Sequence, residues 1–367
     1  MINRREFGLS ALALTITAAA PRVARGEAPM VFRIGNAAGV NDPQQIFATA
    51  GRHPRLGYYQ AEGVDIDFVG VANPSQGMQS VATGETTVAT LAAGLFLPII
   101  AKDPSFPVIS TYCWLPRNAA VVAVKPDAPY QSIADLRGKR IGVRNQGDIG
   151  RYVAKTMWSE LGLDDGGADY IAIGDGGSAG TALYRDGVDV IVTYDTSAAR
   201  VEIAGFKLRY LPLTPKFAAT PSGFLGFNKN FLAENRREIV GFLRAMAKST
   251  IFAHTNPDPC ISMHWEQYPE SKPKSKSEAE AKADMLFLLS KRIDHWMPSP
   301  DNPDQRMGAA NVEEWNALIA MTAETVGDPQ FAAKIGDSRK LFTNDLIEEA
   351  NAFDKAAIIQ QAKNFKL

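Results

Sequence analysis

The chain has 367 residues, 46% hydrophobic and 22% charged, enough for two ordinary domains with a substantial core. A formal charge of −1, from 39 Lys and Arg against 40 Asp and Glu, carries none of the basic excess that advertises nucleic acid or an anionic membrane as a partner. Two cysteines are too few for a disulfide framework or a thiolate metal site.

Residues 1–26 read as an export signal. Arg4 and Arg5 precede Phe7 and an apolar run from Gly8 to Ala20 that is diluted with Gly and Thr, the twin-arginine type. That run is too short for a membrane span, which needs about 20 residues. Cleavage is expected after Gly26, with Ala24 three residues before the bond. It removes four Arg and one Glu, taking the charge from −1 to −4. The product is expected to be a soluble periplasmic protein.

One supersecondary unit then appears twice. In the first copy "MVFRIG" is a strand, a helical stretch ends at "LGYYQAEG", and "VDIDFVGV" is a second strand. "SQGMQSVATGETTV" (75–88) opens a helix that stops at Gly84, before the strand "TTVATLAAG". In the second copy "KRIGV" is a strand, "GRYVAKTMWSELG" a helix closing at Gly162, and "DYIAIG" a strand. "SAGTALYRDGVDVI" (178–191) opens a short helix to Gly187, before "VDVIVTY". A shift of 103 lays Ser75 on Ser178, Gly77 on Gly180, Gly84 on Gly187 and Val88 on Ile191. Apolar strands joined through helices pair in parallel, so each copy predicts an α/β lobe with helices on both sheet faces. Gly84 and Gly187 stand where a helix stops, a position favouring a left-handed glycine.

Gly174, Gly176 and Ala179 also fit a G-x-G-x-x-A dinucleotide fingerprint, with Asp195 about 20 residues on. The helix that follows has only about nine residues before Gly187, short for that fold, and no cofactor is assigned.

The segments 113–129 and 211–231 read as extended crossings between the lobes. They divide the mature chain into a first lobe of 27–118 plus 222–367 and a second of 119–221. The remainder is helical. Asn235 and Glu238 form a helix start, with Ile239, Phe242, Leu243 and Met246 on one face. Further helices are expected from about Ser277 to His295, through "NVEEWNALIAMTAETVG", and from Thr343 onward. The charge run 270–284 reads as solvated, and Trp265, Trp296 and Trp315 as core. Cys113 and Cys260 read as two buried thiols, pairing being the alternative in an oxidising compartment.

"SIADLRGKRIGV" (132–143) is the most telling phrase: Ser132 caps one helical turn, Asp135 returns the bond, Gly138 ends it and a strand starts. With "ALYRDGVDVIV" and "LFTNDLIEEANAFD", the chain resembles the periplasmic solute-binding proteins of ATP-driven importers, in the branch for nitrate, sulfonate, taurine and thiamine-pyrimidine uptake. The resemblance covers the whole mature chain. It implies a two-lobed clamshell (the type II, Venus-flytrap fold) closing on one small molecule, a monomer with a membrane permease and an ATPase as partners, and no catalyst. A thiamine-pyrimidine synthase of the same fold is the enzyme alternative, and a ligand sensor a third. That synthase carries a cysteine-rich motif and a lysine for pyridoxal phosphate; here the cysteines are isolated.

Ligands in open α/β sheets lie beyond the carboxyl ends of strands. Those ends offer Asn36, Asn73, Ser75, Gln76 and Gly94 in the first lobe, and Arg144, Asn145, Asp148, Ser178, Tyr194 and Asp195 in the second. The crossing adds Trp114, Arg117 and Asn118. Ser75 and Ser178 serve as helix caps or present their helices' free amides. Asn145 and Asp148 shape a turn or touch ligand. Arg117 and Arg144 offer a fork for a carboxylate or sulfonate, or else form interlobe salt bridges. Asp195 favours a donor or cation, which leaves the solute's charge open. Tyr194 and Trp114 suit a flat ring, hinge packing being the other reading of Trp114. The four histidines show no metal-ligand spacing.

Overall fold

The computed structural model describes residues 28–36 and 41–367; the export signal and its cleavage point lie outside the described residues. Ten strands follow in chain order: β1 (Met30–Asn36), β2 (Val64–Gly70), β3 (Ala89–Leu91), β4 (Val108–Leu115), β5 (Ala120–Val124), β6 (Arg140–Val143), β7 (Asp169–Ala172), β8 (Val190–Tyr194), β9 (Arg209–Leu211) and β10 (Gly223–Asn228).

β1 and β2 pair in parallel over their full length. β10 lies between β3 and β4, antiparallel to both. A parallel bridge from Ile34 to Val88, with the Gly35 amide donating to the Val88 carbonyl at 2.9 Å, joins the two pieces in the order β2-β1-β3-β10-β4. The other sheet runs β7-β6-β8-β5-β9, with β6 parallel to β7 and β8, and β5 antiparallel to β8 and β9. The doubled phrase is therefore a doubled topology. Each sheet places the unit's second, first and third strands side by side, then two strands contributed by the crossings. Those crossing strands pair antiparallel, where the sequence pattern led to parallel pairing alone. Pairing changes sheet between Leu115 and Ala120 and again between Leu211 and Gly223.

Several local expectations are corrected. "GFLGFN", read within a crossing, is β10, the strand between β3 and β4; its glycines hid the alternation that marks a strand. Gly84 is left-handed at φ 80°, but in the second copy Asp186 takes that conformation (φ 57°), and its carboxylate meets Lys125 at 2.5 Å. Gly187 has ordinary backbone geometry, and a methyl there would sit tightly, 3.1 Å from the Ala182 carbonyl oxygen. Asn235 does not cap the helix Arg236–Thr255 with its side chain; its amide donates back to the Phe231 carbonyl at 3.0 Å, closing the preceding helix Lys229–Glu234. The helix expected from Thr343 is broken into Ile347–Ala350 and Lys355–Asn364. The helix Ala93–Lys102, with Pro98 inside it, escaped the sequence reading. The start at Ser132 forms as expected, the Asp135 carboxylate accepting from the Ser132 amide at 2.9 Å.

The helix Arg236–Thr255 is the spine of the first core. Phe242 stacks on Phe32 of β1 at 4.5 Å between ring centres. Trp315 packs against Phe224 and Phe342 in a second core, and Trp158 is fully buried against Ile141 and Val192 in a third. Trp265, Trp296 and Trp315 are all buried. Cys113 and Cys260 are free thiols in different cores, and burial pushes both well up from the usual thiol range.

His264 is buried in the first lobe, its Nδ1 2.9 Å from the Thr49 hydroxyl, and burial pushes it down to about 4 from 6.5. The unfolded chain takes up this proton near pH 6.5 and the native protein only near 4. Stability should therefore be unaffected above that window, fall with pH inside it by at most about 1.4 kcal/mol per unit, and level off below. Urea unfolding of wild type and His264→Gln at stepped pH checks this: the variant should lose that part of the slope.

Candidate functional site

A cavity of about 130 Å³ lies between the carboxyl ends of the two sheets. Ile34, Gly35 and Asn36 at the end of β1, Pro74 at the start of the helix Pro74–Ala82, and Thr90 to Ala92 at the end of β3 form one wall. Arg144 after β6, Tyr194 at the end of β8, and Thr196, Ser197 and Arg200 on the helix Asp195–Ile203 form the opposite one. Trp114, Ser222 and Gly223 from the crossing strands make the floor, and Phe47, Phe68, Met246 and Arg292 complete the lining.

The apolar part is aromatic. Phe47 stacks on Trp114 at 4.9 Å with ring planes 18° apart, and Trp296 supports Phe47 from behind at 5.6 Å. Gly223 is required under the indole, since a methyl there would lie 2.7 Å from Trp114 Nε1. Tyr194 lies under the Arg292 guanidinium, 5.9 Å from its centre.

The polar part is a set of ion pairs, of which Arg200–Asp42 and Arg292–Asp195 cross the cleft. Arg200 reaches Asp42 of the facing lobe at 2.5 Å and Asp175 of its own at 3.5 Å. Burial opposes the Arg200 charge, but the two carboxylates outweigh it and hold the guanidinium above its ordinary value. Asp195 is buried at the first turn of its helix and receives Arg292 through Nε at 2.9 and 3.0 Å, through Nη2, and His295 Nδ1 at 2.9 Å. Burial alone would raise the Asp195 carboxyl; Arg292 and His295 hold it below the usual range. Arg144 is paired to the buried Asp148 at 3.2 Å.

Of the residues expected from sequence, Asn36, Trp114, Arg144 and Tyr194 stand on the cavity wall. Asn73, Ser75 and Gln76 start the flanking helix without lining the cavity: Asn73 caps the Gln76 amide at 2.9 Å and faces Gly147 across the cleft, where a methyl would lie 2.9 Å from the Asn73 amide group. Gly94 and Asn118 line a smaller neighbouring cavity. Gly94 lets the Tyr152 ring pack on its backbone, and Asn118 donates to the Phe217 carbonyl at 2.7 Å, holding the crossing. Arg117 donates to the Pro298 carbonyl at 3.0 Å. Asn145 shapes its turn by accepting from the Gly147 amide at 3.0 Å, and Asp148 lies beneath Arg144. Ser178 is exposed, donating to the Asp175 carbonyl, and does not reach the cavity; Asp195 is buried with its cations rather than presented to a guest.

The two serine-led helices are thus not equivalent. The first begins at the cavity, whereas in the second lobe the helix Asp195–Ile203 takes that place. Thr196 and Arg200 are four residues apart on one face of it, a spacing visible in the sequence once the helix is placed after Tyr194. Phe47 and Arg292 come from segments with no sequence signal for a site.

Residues 53–259 match the family model described as NMT1/THI5 like, more than half of the chain, and the chain belongs to that family. It is similar to a formylaminopyrimidine-binding protein of Halalkalibacterium halodurans, 24% identical over 72% of this chain and 77% of that one. It is also similar to the riboflavin-binding protein RibY of Chloroflexus aurantiacus (23%, 59% of this chain, 61% of that one). A third relative is the yeast 4-amino-5-hydroxymethyl-2-methylpyrimidine phosphate synthase THI11 (23%, 62% and 67%). Among solved structures, the periplasmic aliphatic sulphonate binding protein SsuA of Escherichia coli superposes with a TM-score of 0.62 at 15% identity, over 86% of this chain and 92% of that one. The periplasmic nitrate-binding protein NrtA of Synechocystis superposes at 0.58 and 11%, over 92% and 99%. The fold is that of the periplasmic solute-binding proteins. No helix among the described residues is long and apolar enough to cross a membrane.

Proposed function

We propose that this chain is an exported solute-binding protein that closes two lobes, 27–118 with 222–367 and 119–221, over one small flat ring and hands it to the permease of an ATP-driven importer. The observation that carries the reading is the interlobe cavity walled by the Trp114–Phe47 stack and Tyr194, with hydrogen-bonding groups from both sheets around it. Such a slot holds a planar heterocycle by its faces and reads its edges with Asn36, Thr90, Thr196, Ser197 and Ser222. The pyrimidine and riboflavin named for two relatives are rings of this kind. The change of sheet at both crossings supports the lobe boundaries, and the twin-arginine sequence supports export to the periplasm by that route. The synthase relative suggests the alternative, an enzyme of the same fold. Against it, the described cavity lining contains neither lysine nor cysteine.

A thermal-shift screen of the mature chain against pyrimidines, flavins, aromatic acids and sulfonates tests the reading. A bound heterocycle should raise the melting temperature in a concentration-dependent way, by about 2.7 kcal/mol of stability at a hundredfold excess over Kd. A new product by mass spectrometry, or no heterocycle bound, overturns it.

A further inference from the structure

Among the described residues the cavity lining holds three arginines and no carboxylate, which taken alone describes a site for an anion. The positions behind the lining reverse that conclusion. Arg144 is held by Asp148, Arg200 by Asp42 and Asp175, and Arg292 by Asp195, four carboxylates for three guanidiniums. The Asp195–Arg292 pair and the Asp148 side chain are buried, at 5%, 7% and 0% exposure, while Arg200, Asp42 and Asp175 are partly exposed at 18%, 14% and 28%. At the helix start facing the cavity Asp195 adds a negative charge in the first turn and accepts from the Thr196 amide at 2.6 Å. At the other helix start Pro74 has no amide hydrogen, and Asn73 takes that of Gln76. An anion entering here would give up its water for positive charge that is already neutralised, and would meet the repulsion of the carboxylates one layer back.

We infer that Asp42, Asp148 and Asp195 set the charge selectivity of this cleft, reserving its arginines as hydrogen-bond donors for a solute without net negative charge and turning away the anions that a bare arginine-lined cleft would take. The inference rests on the proposed solute-binding reading and narrows it. Neutral guests are served because each paired guanidinium keeps N–H groups beyond those its carboxylate uses.

Matched probes of one shape and different charge test this: ethanesulfonate against ethanesulfonamide, and benzoate against benzamide, titrated calorimetrically into wild type, Asp148→Asn and Asp42→Asn. Asparagine keeps the size and the acceptor oxygen and removes the charge, and circular dichroism and melting report folding. Two separate positions keep the test decisive if one variant is unstable. Wild type should bind neither anion better than its amide; folded Asp148→Asn should gain at least about tenfold for the anion, and folded Asp42→Asn, whose Arg200 keeps Asp175, a smaller gain in the same direction, each changing little for the amide. A wild-type preference for the anion, or folded variants with no gain, overturns the inference. If the variants gain the anion while no heterocycle in the screen binds wild type, the solute reading fails and the charge inference stands.

Discussion

Alanine in place of Asp195 should destabilise the protein by about 3–5 kcal/mol, the largest single-site effect expected outside the hydrophobic cores, because it leaves a buried guanidinium without its partner. Asp195 begins a helix of the second lobe, whereas Arg292 ends the helix Glu278–Arg292 and His295 follows in the next turn. Two distant segments of the chain thus meet at one buried carboxylate. Removal of the carboxylate leaves Arg292, which is 6% exposed, with only the Thr196 hydroxyl and the Tyr194 ring beside it. Removing the ion pair altogether is a different matter. Asp195→Leu with Arg292→Met replaces it by apolar groups of similar volume and should recover most of the loss. Equilibrium unfolding in urea of both variants provides the check; a single variant within about 1 kcal/mol of wild type would mean that Asp195 and Arg292 are not a desolvated pair.

The second large effect concerns binding. Trp114→Ala should weaken the solute by about 2–4 kcal/mol, roughly 30- to 1,000-fold, because it removes the flat wall on which a ring lies and lets Phe47 tilt from its support. Trp114→Phe, keeping a smaller face, should retain most of the affinity. Calorimetric titration with whichever heterocycle the thermal screen selects provides the numbers. Equal affinity in wild type and Trp114→Ala would remove the indole from the binding surface.

Much of the architecture was legible because strands and their crossover helices follow periodic rules. The two copies of the α/β unit announce themselves by spacing, the Ser132 start by its capping residues, and the long helix by the apolar face bearing Phe242 and Met246, although Asn235 does not cap it. What the sequence hid has physical reasons. β10 carries glycines at Gly223 and Gly226, which make room for Trp114 and Leu91, so its packing role erased its pattern. The lining of the candidate cavity was half legible: Asn36, Arg144 and Tyr194 follow from the rule that ligands sit beyond strand ends, and Trp114 from its place on the crossing. Phe47, Arg200 and Arg292 were not, since only tertiary folding brings a first-lobe helix, a second-lobe helix and a C-terminal helix to one point. The charge of the cavity was illegible for the same reason. An arginine reads as a waiting cation until its aspartate, 4 residues away for Arg144 but 158 for Arg200, is placed beside it.

Native mass spectrometry of the folded chain after exposure to a small-molecule extract is the most direct measurement of whether these two lobes hold and release a guest. One unmodified planar heterocycle without negative charge, bound once per chain, set free unchanged on unfolding and missing from Trp114→Ala, is the predicted result. A released molecule whose mass differs from the one taken up, or an adduct that persists when the indole is gone, would contradict it.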